Sequence, residues 1–189
     1  MAPEDFHQHW RSRHAALIVR LPGIRRYVQN FPATADAPYD AIAESSFDDT
    51  AAMKALARTP EYAAVLADEP DFIDRPSMGS IITEEHVIKD GAPAGVKTIR
   101  LVARNTSMPI DAFFGSFLDK AKVAAHLPGT LRYVQCHTRR SVYESGRTPP
   151  YDGAEMIWLE KGTPACAVPG FIDAQRSRSL VVVERVVAG

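Results

Sequence analysis

The chain has 189 residues, 46% of them hydrophobic and 24% charged, with a formal net charge of −1. That balance belongs to a globular domain with a core of its own. It lacks the surplus of Lys and Arg that phosphate-backbone binding needs, so no nucleic-acid partner is expected. No run approaches the ~20 apolar residues of a membrane-spanning helix, and no signal-peptide pattern opens the chain. Two cysteines, Cys136 and Cys166, make neither a disulfide framework nor a zinc site, and a reduced, cytoplasmic setting is expected.

In chain order, residues 3–20 predict a helix. His7, Trp10 and His14 share one of its faces with Phe6, Leu17 and Leu21, at spacings of three, four and seven. His9 falls off that stripe and is expected to be exposed. Leu21-Pro22-Gly23 is a turn, and strands are expected near 25–30 and 42–47. An Ala-rich helix over 48–67, with Asp48 or Asp49 as its N-cap, precedes a strand at 80–88. Residues 89–95, with Gly91, Pro93 and Gly95, read as a linker. A β-rich run over 96–104 and breakers from Asn105 to Pro109 lead into a helix over 110–125, marked by Phe113, Phe117, Leu118 and Ala121. Strands are expected over 131–139, 155–159 and 180–187, with only residues 161–170 left for any second helix in this half.

The chain repeats itself. Residues 21–29, Leu-Pro-Gly-Ile-Arg-Arg-Tyr-Val-Gln, return at 127–135 as Leu-Pro-Gly-Thr-Leu-Arg-Tyr-Val-Gln, 106 positions on, with seven of nine identical. Tyr39-Asp40 returns as Tyr151-Asp152, and Phe72-Ile73-Asp74 as Phe171-Ile172-Asp173. The expected fold is therefore α+β: two ferredoxin-like repeats, residues 1–90 and 96–189, packed sheet to sheet as a pseudo-dimeric α/β barrel. In the first copy the counterpart of the 96–104 strand would fall before residue 1. Either the start is placed late or another segment fills the gap.

These residues carry a resemblance. Phe6-His7-Gln8-His9-Trp10, His14, Leu21-Pro22-Gly23 and Arg26-Tyr27-Val28 resemble the EthD family of the dimeric α/β-barrel superfamily. Tyr39-Asp40, Phe47-Asp48-Asp49, Asp68-Glu69 and Phe72-Ile73-Asp74 support it. The family is similar to muconolactone methylisomerase and to small polyketide cyclases, decarboxylases and dehydratases. The resemblance implies no organic cofactor and a small hydrophobic, aromatic or lactone ligand between helix and sheet. It also implies a functional histidine on the first helix and a tyrosine thirteen residues later, here His14 and Tyr27.

His14 can act as acid or base near neutral pH, or it can be a structural histidine at the helix–sheet seam. Tyr27 can polarise a carbonyl, although its repetition as Tyr133 equally suits a packing role. Phe6, His7 and Trp10 would wall the ligand, and Glu44, if it points inward, would raise the basicity of His14. Shifting by 106 pairs His14 with Lys120, Trp10 with Ser116 and His7 with Phe113, so a single site in the first copy is expected, with Lys120 on a helix surface. No metal-ligand spacing is present, and nothing singles out His137 or His14 as a haem ligand. Two functions remain. One is a cofactor-independent isomerase, cyclase or lyase acting on a small carbonyl, lactone or aromatic compound. The other is a non-catalytic ligand-binding protein or accessory to an oxygenase, favoured by the absence of any paired carboxylate or orienting triad. A homodimer of the fused pair is left open.

Overall fold

Pro at the second position and Gly at the third make Leu21–Ile24 a turn, with Gly23 at φ +76 and the Ile24 N–H donating to the Leu21 carbonyl at 3.3 Å. Leu127–Thr130 repeats it, with Gly129 at φ +78 and a 3.2 Å hydrogen bond. Pro presets the first central residue, and a positive φ at the second favours Gly, so the repeated tripeptide is type II turn chemistry that carries a helix into a strand. The computed structural model describes residues 1–164 and 167–189; Cys166 lies outside them.

The chain forms two compact units. The first contains Met1–Pro32, Tyr39–Met78 and Val183–Gly189. Its helices are α1 (Pro3–His9), continued by a π-helical turn (Trp10–His14) and α2 (Ala15–Ile18), then α3 (Thr50–Ala55) and α4 (Pro60–Asp68). Strand β1 (Ile24–Pro32) pairs antiparallel with β2 (Ile42–Phe47), placing Val28 opposite Glu44. Ala15, Ile18, Leu21, Tyr27, Leu56 and Val65 form the buried seam between helices and sheet, joined by Val187 and Ala188 from the end of the chain. A second cluster, Trp10, Phe31 and Phe72, is flanked by Phe6, Ala41 and Ile73.

The second unit contains Ala33–Pro38 and Gly79–Val182. Its strands are β3 (Thr83–Lys89), β4 (Val96–Val102), β5 (Thr130–Thr138), β6 (Gly153–Leu159) and the first residues of β7 (Arg178–Ala188), in the order β7-β4-β6-β5-β3. Every pairing in this order is antiparallel. All seven residues of β6 are buried, as befits a strand flanked on both edges. Helix α5 (Ile110–Ala125) lays Phe113, Phe117, Ala121, Ala124 and Ala125 on the sheet, while the short α6 (Arg140–Glu144) was not expected from sequence.

The long helix expected over 48–67 is two helices. Thr59 accepts the Tyr62 N–H on its side chain at 3.2 Å and Pro60 takes the first helical position, an N-terminal signature in mid-segment that restarts the helix. Asp49, one of the two caps expected, accepts from the Ala52 N–H at 2.7 Å. Among the described residues of 160–177 there is no helix.

Candidate functional site

The first helix does not run regularly. The Ala15 N–H donates to the Trp10 carbonyl, five residues back, which makes residues 10–14 a π-helical turn. Such turns add one residue to a helix and are frequent at functional sites. On a regular α-helix His9 and His14 would lie roughly 140° apart at ~3.6 residues per turn. The wider turn brings both to one carboxylate. His9 Nε2 lies 3.0 Å from Asp68 Oδ1, and His14 Nδ1 lies 3.0 Å from Asp68 Oδ2. His9 is therefore a partner of His14 and only part-exposed, which corrects the expectation that it faces solvent.

Asp68 comes from the last residue of α4 and is 1% exposed. It also accepts from Arg13 Nε at 2.8 Å. Burial pushes its carboxyl up, but the hydrogen bonds from His9 and His14 outweigh that and hold its pKa below the usual 3.8. The anion is thus stable in place. Burial lowers the pKa of His14 from 6.5 against the opposing pull of Asp68, so its imidazole is neutral at pH 7. With Nδ1 carrying the proton toward Asp68, Nε2 presents a lone pair, and it has no hydrogen-bond partner among the described residues. An ionised carboxylate orients the histidine, and it is Asp68 rather than the Glu44 that the sequence reading offered for that place. Asp68 enters that reading only as part of the Asp68-Glu69 motif, because 54 residues separate it from His14.

Phe72 covers both imidazoles, its ring centre 4.6 Å from His9 and 4.8 Å from His14. Trp10 packs on Phe31 at 4.9 Å and Phe6 on Phe72 at 5.6 Å. His7 points its edge at Phe31 and donates Nε2–H to the Asp40 carbonyl at 2.9 Å. Tyr27 is buried; burial raises its pKa, so the hydroxyl stays protonated, and it accepts from Gln29 Nε2 at 3.4 Å. Glu44 accepts from Asn30 Nδ2 at 2.7 Å and pairs with Arg26 at 3.4 Å; the carboxylates acting on His14 are Asp68 and Glu69. The structure thus gathers Phe6, His7 and Trp10 about Phe31 and Phe72, and gathers His14 with His9 on Asp68.

Side chains from the sheet hold the π-turn. Gln29 Nε2 donates to the Trp10 carbonyl at 2.7 Å, and Arg185 donates to the Arg11 carbonyl at 2.6 Å and to Gln29 Oε1 at 2.9 Å. In the second unit α5 is regular over 16 residues. Lys120 is not on the surface there. Its ammonium donates to both oxygens of the buried Glu155 at 2.8 and 2.7 Å, and Arg100 and the Tyr133 hydroxyl meet the same carboxylate. That cluster is a closed ion-pair network where the first unit has a neutral imidazole. Among the described residues no group of three His, Cys, Asp or Glu is arranged to hold a metal, and no helix is long and apolar enough to cross a membrane.

Residues 1–76 match the family model of the EthD domain. The matched segment takes in His9, His14, Asp68 and Phe72, along with Trp10, Tyr27 and Phe31. No curated protein sequence matches the chain. In fold it is similar to a crystal structure from Lactobacillus acidophilus NCFM described as a "putative monooxygenase", with a TM-score of 0.55, 12% identity, and 98% of this chain and 90% of that one covered. At that identity the likeness concerns the α+β fold.

Proposed function

We propose that the first unit is a cofactor-independent acid–base site for a small carbonyl, lactone or aromatic compound, with His14 as the base. The observation that carries this is the buried His14 Nδ1–Asp68 hydrogen bond of 3.0 Å beneath a neutral imidazole. Asp68 fixes the tautomer and offsets the charge that His14 gains on taking a proton. Nε2 would remove a proton next to the carbonyl and return it at another position, as in an isomerisation, cyclisation or elimination. The protonated Tyr27 hydroxyl would steady the oxygen that gains charge. Phe6, His7, Trp10 and Phe72 would form the apolar wall, with Glu44 at its sheet side.

This reading places the whole chain in the EthD family as two ferredoxin-like copies, residues 1–90 and 96–189 about the 89–95 linker, forming a pseudo-dimeric barrel. The two turns of like geometry support it. So does the membership of the compact units, in which the last residues of the chain complete the first unit.

The test is solvent-deuterium incorporation into a panel of lactones, β-dicarbonyls and aromatic ketones, followed by mass spectrometry. Wild-type protein should exchange at least one compound, and His14→Ala should slow that exchange by about 10²–10⁴-fold. Exchange at the wild-type rate in His14→Ala would refute the catalytic role. A second reading, a ligand-binding accessory of an oxygenase, is favoured by the description attached to the structural neighbour. It predicts saturable binding of a panel compound without exchange.

A further inference from the structure

The second unit has a cleft of about 290 Å³ lined by Arg104, Arg147, Arg176, Thr106, Thr148 and Tyr143. One carboxylate, Asp152, also lines it, and that carboxylate is fully engaged. It accepts from the Arg104 N–H at 2.8 Å and the Tyr143 hydroxyl at 2.8 Å, and Arg104 Nε lies 3.5 Å away. Arg104 is held in turn by the carbonyls of Met108 and Thr106. Asp152 and Arg104 therefore cancel as a fixed neutral floor.

The two remaining guanidiniums, Arg147 and Arg176, have no carboxylate partner among the described residues. Arg147 directly follows one turn and Arg176 lies in another. Gly146, at φ +75, donates its N–H to the Tyr143 carbonyl at 2.9 Å just before Arg147. The Arg176 N–H donates to Asp173 Oδ1 at 3.1 Å. The cleft thus has about two uncancelled positive charges, and Thr106 and Thr148 are among its lining residues. Planar guanidiniums recognise oxyanions with paired N–H donors, and a neutral floor does not repel them. The volume lies at the small end for ligand sites.

We propose that this cleft binds a small oxyanion carrying two negative charges, with Arg147 and Arg176 as its ligands. The proposal is independent of the acid–base reading of the first unit.

Isothermal titration calorimetry of the full chain with succinate and with inorganic phosphate, at low and raised chloride, tests it. One or both should bind saturably, and affinity should fall as ionic strength rises. The pair Arg147→Gln with Arg176→Gln should weaken binding by about tenfold or more, roughly 1.4 kcal/mol. Arg58→Gln, an exposed charge of the first unit, should leave it unchanged. Melting curves establish that the variants fold; if the double variant melts early, the two single variants make the same comparison, each weakening binding severalfold. Binding to succinate alone or phosphate alone identifies which oxyanion the cleft takes. Absence of saturable heat with both probes would overturn the proposal, as would equal affinity in the arginine variants or equal loss in Arg58→Gln.

Discussion

Replacing Asp68 by Ala removes one carboxylate and leaves three donors behind: His14 Nδ1 at 3.0 Å, His9 Nε2 at 3.0 Å and Arg13 Nε at 2.8 Å. Breaking a buried ionic cluster by deleting one partner costs about 3–5 kcal/mol. Arg13 is 65% exposed and regains water, so the lower end, about 3 kcal/mol, is expected here. For a chain of this size that is roughly 6–12 °C in melting temperature. The pH dependence follows from two lowered pKa values. His14 below 6.5 means that the unfolded chain binds more protons than the native one as pH falls past 6.5, so wild-type stability declines there. Asp68 below 3.8 contributes stability that is present above that value and is lost as pH falls through its native pKa. Without Asp68, nothing offsets the burial of His14 as effectively and its pKa drops further. The gap between wild type and variant should therefore widen as pH falls through the native pKa of His14, below 6.5, and begin to close from about pH 3.8, vanishing once pH has passed the lower native pKa of Asp68. Thermal melts across pH, with NMR titration of the His14 ring, measure both. A melting shift under about 2 °C at pH 7 together with an unmoved His14 titration would refute the assignment of Asp68.

Gly23→Ala and Gly129→Ala test the two turns: both should lose about 1 kcal/mol to the positive φ, and Gly129→Ala should lose more, since a Cβ there would fall 2.2 Å from Thr163 Oγ1 whereas one at Gly23 has 3.9 Å to Ala52. Chemical denaturation of the pair checks the order. Thr59→Ala should cost about 1 kcal/mol through the lost cap of α4, and Thr59→Asn should restore most of it. Arg185→Met removes the donor to the Arg11 carbonyl; amide hydrogen exchange at Ala15 should quicken while exchange in β6 stays slow.

Strand and turn positions were legible because they rest on local chemistry. The helix over 110–125 and the strand over 42–47 are found at those bounds, and the Leu-Pro-Gly turns behave as their residues require. The break at Thr59-Pro60 was legible in principle, since Thr followed by Pro is a start signal, but the run of alanines on either side hides it. Asp68 was not legible as a partner of His14. The contact is set by how α4 packs on the first helix, and nothing in a helix-terminal Asp-Glu marks it as buried. Lys120 was misplaced for a similar reason: its long stem lets the ammonium reach a carboxylate on the sheet from a helix position that looks exposed.

The π-turn coincides with a one-residue change in the spacing of the internal sequence repeat. Phe6 and Trp10 stack at 24° between ring planes, and Phe113 and Phe117 stack at 19°, so the like pairs stand 107 apart, as do the helix starts Pro3 and Ile110. After the turn the spacing is 106, from Leu21 to Leu127. The first segment thus holds one more residue between Trp10 and Leu21 than the second holds between Phe117 and Leu127, and a π-turn accommodates one. The π-turn lies in this interval and ends at His14. Gln29 and Arg185 add side-chain donors to two carbonyls of the first helix here, those of Trp10 and Arg11. Gln135 makes the corresponding bond to the Phe117 carbonyl beneath a regular helix, so the glutamine alone does not produce the turn. What differs in the first unit is the pull from the other side, where one buried carboxylate binds two histidines that a regular helix would hold apart.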